Sequence, residues 1–185
     1  MRRSTMLVVI MAIGAFTWGT NYGLLIPLLK LIARDFDVSD AAVGQLATLH
    51  AIATGATALI VTPWMDRFGR GRLLRIGAGL LLAGTAFSAL APTFALLFPA
   101  RMLSGVGAAF IMPVCFAAAG DLFQDERKRN QAVGLVIAAT ALGGVVGLPV
   151  LIQLADAFGW RWTVAALLVP IVVLFSGSFG LPSRA

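Results

Sequence analysis

Charge is scarce in this sequence. Only 12% of the 185 residues are Asp, Glu, Lys or Arg, whereas 59% are hydrophobic and the mean hydropathy is +0.94. A soluble globular domain carries charge on about a quarter of its residues. The composition therefore excludes an ordinary soluble domain and indicates a protein that lies in a membrane.

Histidine and cysteine are almost absent. The single cysteine, Cys115, has no partner for a disulfide within the chain, and the single histidine, His50, leaves no His-rich cluster for a metal ion. A Cys-His catalytic pair would require these two residues to meet, and neither has an acid beside it. The sequence therefore predicts no enzyme activity, no cofactor and no metal site. Cys115 is expected to pack inside a helix.

Long apolar runs are what the sequence has instead. Each run is long enough to cross the hydrocarbon layer, which takes about 20 residues of helix. The runs are continuous rather than alternating, which favours helices over a β-barrel. We therefore predict an all-α membrane protein in which residues 1–185 form one bundle of six transmembrane helices. The predicted helices cover residues 6–32, 42–64, 73–91, 94–120, 132–154 and 163–179.

The basic residues are distributed unevenly over the loops. Ten of the 14 lie on one side of the predicted membrane, three lie on the other, and Arg101 falls inside a helix. Loops with an excess of Lys and Arg face the cytoplasm. We therefore expect an integral membrane protein with both termini in the cytoplasm. The basic residues lack the interleaved aromatic residues of a nucleic-acid surface, so no nucleic-acid partner is expected.

A short Asp-x-Phe-Gly pattern occurs twice, ninety residues apart. Its copies are Asp66, Phe68 and Gly69, and then Asp156, Phe158 and Gly159. A weaker echo pairs residues 26–27 with residues 112–113. Three helices separate the copies, and an odd number reverses the direction of insertion. The pattern therefore predicts a 3+3 inverted repeat.

The first copy lies in a compact charged loop between the second and third helices. The loop reads Asp66-Arg67-Phe68-Gly69-Arg70. Gly69 permits a tight turn, Arg67 and Arg70 can bind anionic headgroups, and Asp66 can face a helix N-terminus. The loop resembles the signature loop of the major facilitator superfamily of secondary transporters, which implies a gating role for Asp66, Arg67, Gly69 and Arg70. A plain basic anchor loop is the alternative.

The fourth helix carries Arg101 followed by closely spaced small residues that include Gly105. This run is similar to the second motif of the same family. Arg101 lies seven residues past Phe94, about 10 Å into the helix. A central arginine costs about 2.5–3.5 kcal/mol on insertion scales, so Arg101 should face a polar cavity or a hydrogen-bond partner. The alternative is an arginine that snorkels to the outer surface.

The fifth helix carries a glycine series with a proline. The series of Gly134, Gly143, Gly144 and Gly147, followed by Pro149, resembles the family's antiporter motif in its drug and sugar efflux branch. Gly143 and Gly147 form a small-x-x-x-small face on which another helix can pack, and Pro149 can bend the helix. Packing alone would give the same pattern.

The resemblance implies one half of a twelve-helix fold that has two six-helix bundles around a central cavity. The chain is then expected to be a half-transporter of the efflux type in a bacterial cytoplasmic membrane. It would move a small organic solute by alternating access, with a proton or another coupling ion. The second bundle would be a C-terminal half or a second copy, in a parallel homodimer that places Asp66 near Asn130 of the partner subunit. A non-transporting scaffold or regulatory subunit is the alternative.

Few polar side chains fall inside the predicted helices. The candidates for the substrate cavity are Asn21, Tyr22, His50 and Arg101, on helices one, two and four. No Asp or Glu lies within a predicted helix. His50 is a possible proton carrier because its unperturbed pKa lies near neutrality. Alternatively, it forms a hydrogen bond to a neighbouring helix.

Overall fold

The computed structural model describes residues 2–64 and 68–180, and these residues contain helices and no strand. The α-helices are α1 (Arg2–Gly23), α2 (Leu25–Phe36), α3 (Asp40–Val61), α4 (Arg70–Leu90), α5 (Phe94–Leu122), α6 (Glu126–Leu142), α7 (Leu148–Phe158), α8 (Trp160–Ala166) and α9 (Leu168–Gly177). Short 3₁₀ turns cover Thr62–Trp64 and Ser178–Gly180, and a π-helical turn covers Gly143–Gly147.

These elements make up six spans that are long and apolar enough to cross a membrane. In span 1 the apolar stretch that meets these criteria is Met6–Gly23 of α1, and we count α2 with it because α2 follows directly after the turn at Leu24. Span 2 is α3, span 3 is α4 and span 4 is α5. Span 5 joins α6, the π turn and α7, and span 6 joins α8, α9 and the last 3₁₀ turn. The predicted all-α fold with six membrane helices is therefore confirmed.

Local sequence explains where several spans begin and where span 1 is interrupted. Ser39 caps span 2 by accepting from the Ala42 N–H at 3.2 Å, and Asp125 caps span 5 by accepting from the Lys128 N–H at 2.9 Å. Because of the second cap, span 5 begins at Glu126 rather than at the expected residue 132. Pro27 offers no N–H to a preceding carbonyl, and span 1 is interrupted at Leu24, three residues before it.

The two Asp-x-Phe-Gly segments have the same turn geometry where the structure describes both. Gly69 has φ of 75° and Gly159 has φ of 87°, and each immediately precedes a span. Both angles lie in the region that glycine tolerates and L residues rarely adopt. The turn that starts span 3 is therefore repeated at the start of span 6.

Two contacts between helices are related by nearly the same separation in sequence as the two Asp-x-Phe-Gly segments. A Cβ at Gly19 would lie 2.2 Å from the Thr140 carbonyl oxygen of span 5, and one at Gly105 would lie 2.6 Å from the His50 carbonyl oxygen of span 2. Gly19 and Gly105 are 86 residues apart, and His50 and Thr140 are ninety apart. The packing of span 1 on span 5 therefore corresponds to that of span 4 on span 2, as in a 3+3 inverted repeat.

Span 4 forms the centre of the bundle. Of the apolar 18-residue stretch that identifies this span, 61% is buried inside the protein, which is the largest share of any described span. Span 3 crosses it at glycines: a Cβ at Gly84 would lie 2.4 Å from the Ser104 nitrogen, and one at Gly107 would lie 2.3 Å from the Leu81 nitrogen. The two backbones approach closely because neither glycine carries a side chain.

Replacing Gly107 by alanine should weaken the contact between spans 3 and 4, because the new Cβ has no space there. Overpacking of this kind costs about 1–3 kcal/mol, so the midpoint of thermal unfolding in detergent should fall by several degrees. Gly120→Ala is the control on the same helix, since nothing lies within 4 Å of a Cβ at that position. Equal midpoints for the two variants would contradict this packing.

Candidate functional site

The four candidate cavity residues do not share one environment. Asn21, His50 and Arg101 are buried among the spans, with 4%, 5% and 4% of their surfaces exposed. Tyr22 is 57% exposed, and its ring stacks on Trp18 with centroids 5.2 Å apart. The structure therefore places three of the residues inside the bundle and one on its surface.

His50 connects spans 2 and 4. Its Nδ1 lies 3.1 Å from Ser104 Oγ and 3.4 Å from the Arg101 carbonyl oxygen. One turn further on, the Thr54 hydroxyl donates to the Gly105 carbonyl at 3.0 Å and to the His50 carbonyl at 2.8 Å. His50 thus makes the interhelical hydrogen bond that was its alternative role, at the point where Gly105 lets the two spans approach.

Asn21 lies at the same depth as Ser104. Spans 1 and 4 run antiparallel: Cys115 Sγ lies 3.6 Å from the Met11 carbonyl oxygen, and a Cβ at Gly14 would lie 3.3 Å from Ile111. Asn21 lies two turns after Gly14 in span 1, and Ser104 lies two turns before Ile111 in span 4. Because the two spans are antiparallel, this register brings Asn21 and Ser104 to the same depth. Neither side-chain atom of Asn21 has a hydrogen-bond partner among the described residues.

A second unpartnered group comes from span 3. Thr85 follows Gly84, which packs directly on the Ser104 backbone, and the buried Thr85 hydroxyl has no hydrogen-bond partner in the described part of the chain. We call Asn21, His50, Thr85, Arg101 and Ser104 the polar layer. Sequence reasoning missed Thr85 and Ser104, because a Ser or Thr in a helix usually bonds its own backbone and gives no pattern.

Arg101 is the charged member of the polar layer. The bundle covers all but 4% of its surface, whereas an arginine that snorkels to the outer surface would have an exposed guanidinium. Across residues 2–64 and 68–180, no carboxylate lies within ion-pair distance of its guanidinium. The layer therefore contains a cation without a protein counter-ion in the described structure.

The loop between spans 2 and 3 is described only in part, since Asp66 and Arg67 lie outside the described residues. Gly69 forms the positive-φ turn, and Arg70 Nε donates to Asp121 Oδ2 at 2.9 Å. This ion pair joins the start of span 3 to the end of span 4. We call it the basic-end tie, because the basic loops lie at this end of the bundle.

A corresponding contact lies at the opposite end. Arg161 forms an ion pair with Asp35, the Trp160 Nε1–H donates to the same carboxylate at 3.0 Å, and Arg161 also donates to the Ala91 carbonyl at 3.2 Å. Asp35 and Asp121 are 86 residues apart, which is the spacing that relates spans 1 and 4. This opposite-end tie is therefore the repeat counterpart of the basic-end tie.

The glycine series of span 5 forms the π turn. A Cβ at Gly143 would lie 2.3 Å from the Phe16 carbonyl oxygen, and one at Gly147 would lie 2.5 Å from Thr20 Oγ1. The Thr20 hydroxyl donates to the Gly143 carbonyl at 3.1 Å. Pro149 is exposed and follows the turn without ending the span. The two glycines pack on span 1, and the π turn marks an irregular point of a kind that is frequent at functional sites.

A sequence model of the Major Facilitator Superfamily matches residues 11–183. Multidrug resistance protein 1 of Bacillus subtilis (strain 168) is 32% identical over 151 residues, which are 80% of this chain and 38% of that protein. Puromycin resistance protein pur8 of Streptomyces alboniger is 34% identical over 135 residues, which are 72% of this chain and 27% of that protein.

The solved structures show the same fold. The inward-open xylose transporter XylE from E. coli superimposes with a TM-score of 0.84 and 15% identity, over 98% of this chain and 49% of XylE. The chain thus spans about half the length of XylE and less than half the length of the curated relatives named above.

Replacing Thr20 by valine should loosen the contact between span 1 and the π turn, because the isosteric side chain cannot donate to the Gly143 carbonyl. Interhelical hydrogen bonds in membranes average about 0.6 kcal/mol and reach about 1.7, so we expect a loss in that range by thermal unfolding in detergent. Thr48→Val is the control, since the exposed Thr48 hydroxyl donates within its own helix, to the Gly44 carbonyl. A Thr20 variant as stable as the control would rule out this contribution.

Proposed function

Because the chain belongs to the Major Facilitator Superfamily, we propose that it is the half of an efflux-type secondary transporter that moves a small organic solute by alternating access. The relatives that carry multidrug or puromycin resistance in their names support the efflux class. The second half is another six-helix bundle, supplied by a C-terminal half or by a second copy of this chain.

The observation that carries this proposal is the exposure of spans 2 and 5. Only 17% of the apolar stretch of span 2 and 28% of that of span 5 are buried inside the bundle. Their exposed faces include Gly55 and Gly134, and nothing lies within 4 Å of a Cβ at either position. Small residues at a helix surface let another membrane helix approach closely. These faces are suited to contact a second bundle.

Spans 2, 5 and 6 all expose bulky apolar residues, which in span 6 include Trp162, Val169 and Val172. Span 6 differs in its glycines: a Cβ at Gly177 would lie 2.9 Å from Ile10, and one at Gly180 would lie 2.6 Å from Met6, so both already pack within the bundle. The open glycines of spans 2 and 5 support contact of those spans with the second bundle and contact of span 6 with lipid.

Orientation follows from the charge pattern. We place the basic end in the cytoplasm, with both termini, because Lys and Arg accumulate on that side of membrane proteins. In a homodimer the two copies would be parallel. Asn130 is exposed at the start of span 5, where Asp66 of a second copy could approach it.

The solute would first meet the exposed Tyr22, which stacks on Trp18 beside Asn21. Asn21, His50 and Arg101 lie behind that surface and would contact the solute once the bundles move. The coupling ion is a proton or another ion. In the described residues the Asp and Glu side chains lie at span ends, so the second bundle would supply any membrane-embedded carboxylate for coupling.

Replacing Gly55 by tryptophan should block the approach of the second bundle and reduce efflux by at least tenfold, while the thermal unfolding midpoint stays near that of the wild type. Solute efflux from proteoliposomes, over a panel of organic solutes, measures the first effect. Val172→Trp on span 6 is the matched control, since this residue is 45% exposed on the face assigned to lipid.

The oligomeric mass in detergent separates the two sources of the second bundle. A dimer that Gly55→Trp disrupts supports a second copy as the partner. No transport by the chain in any assembly, either as a dimer or with a C-terminal bundle, would contradict the transporter proposal and favour a scaffold or regulatory subunit.

A further inference from the structure

We propose that Arg101 is the centre of an anion-binding site inside the bundle. The ligand is a small anionic group with one negative charge, either a free inorganic anion such as chloride or the carboxylate of a small organic acid. This inference concerns the folded bundle and does not require that the chain transports a solute.

The charge of Arg101 is not balanced by any described residue. All but 4% of its surface is covered by the protein, and none of the carboxylates in the described ranges is within ion-pair distance of it. A buried charge without a partner is strongly destabilising, and within a membrane the cost is not relieved by bulk water. An anion at the guanidinium offsets part of this cost, and further hydrogen bonds to the anion increase the gain.

Unused hydrogen-bond donors lie on spans 1 and 3, which both pack on span 4. The Asn21 amide nitrogen and the Thr85 hydroxyl are buried, and both lack a partner among the described residues. Leaving each group unpaired costs about 1–3 kcal/mol. A cation and two neutral donors suit an anion, and the Asn21 oxygen can accept from a water molecule that hydrates it.

The backbone carbonyl oxygen of Arg101 already has hydrogen-bond partners. The Arg101 carbonyl oxygen accepts from the Ser104 hydroxyl at 3.0 Å and lies 3.4 Å from His50 Nδ1. These contacts hold the span 4 backbone but place no negative charge in the polar layer. The counter-charge must therefore come from a group outside residues 2–64 and 68–180.

A small diffusible anion fits the enclosure better than an acidic side chain of a second bundle. The remaining 4% of the Arg101 surface is accessible, which allows contact with a small ion. A carboxylate side chain of a second bundle would have to reach the guanidinium through that same small opening, whereas a small ion can diffuse through it. We therefore assign the counter-charge to a small anion.

The test measures thermal unfolding of the full chain in detergent, in the potassium salt of a bulky sulfonate buffer. The sulfonate is then replaced by chloride in one arm and by acetate in the other, at constant ionic strength. Ligand that binds the folded state raises its stability by mass action. We expect a saturable rise in the unfolding midpoint of about 2–4 °C, which for a chain of this size corresponds to about 1 kcal/mol of added stability. A rise with chloride alone identifies an inorganic anion, and a rise with acetate identifies a carboxylate site.

The variant Asn21→Asp supplies a carboxylate from the chain itself. We expect its midpoint in sulfonate to match or exceed that of the wild type at saturating anion, with no further rise on adding chloride or acetate. Asn130→Asp is the control, because it makes the same chemical change at an exposed residue at the start of span 5 and should keep the full anion response. The variant Arg101→Gln should lose the rise of the midpoint with anion. If Arg101→Gln fails to fold, Asn21→Asp still decides the test.

Two results would overturn the proposal. One is a wild-type midpoint that changes with neither anion at any concentration. The other is an anion response that persists unchanged in Asn21→Asp, which would show a general salt effect on the protein surface.

Discussion

The structure depends on close approach of helix backbones at a few glycines. Inside a bilayer the lipid is as apolar as the side chains, so burial of hydrophobic surface does not drive the helices together. Contact must come from packing that leaves no gap, and the backbones meet at Gly19, Gly84, Gly105, Gly107 and Gly143. In each case a Cβ would overlap a backbone atom of the neighbouring span. These contacts set the rotation of every central span about its axis, and through it the direction of each polar side chain.

The polar layer is a consequence of that rotation. With Gly105 against span 2 and Gly84 against Ser104, the neighbouring residues Arg101, Ser104 and Thr85 are turned into the bundle. The same contacts that exclude lipid also exclude bulk water, so the hydrogen bond between His50 and Ser104 forms in a medium of low dielectric constant. A group left unpaired there is costly for the same reason, which is why Asn21, Thr85 and Arg101 point to a ligand.

The sequence could predict the number of spans, the tight turn at Gly69 and the inverted repeat that includes Gly159, because these depend on the length of apolar runs and on residues spaced along the chain. It could also predict that Arg101 avoids lipid, since the cost of the charge is a property of the residue and its depth. It could not predict that Tyr22 is exposed while Asn21 is buried. Hydropathy gives the position of a helix in the membrane but not its rotation. Thr85 and Ser104 gave no signal, because their role comes from neighbours on other spans.

The two ties at the ends of the bundle show what the inverted repeat contributes. The basic-end tie joins the end of span 4 to the start of span 3, and the opposite-end tie joins the end of span 1 to the start of span 6. Both involve partly exposed side chains, and exposed ion pairs contribute only about 0–1 kcal/mol each. Two such pairs cannot make the bundle rigid, whereas the glycine contacts bring spans 1 to 5 together near their midpoints without gaps. If the bundle moves as one body during transport, the glycine contacts must therefore hold it together, and the ties serve to align the span ends that the contacts leave free.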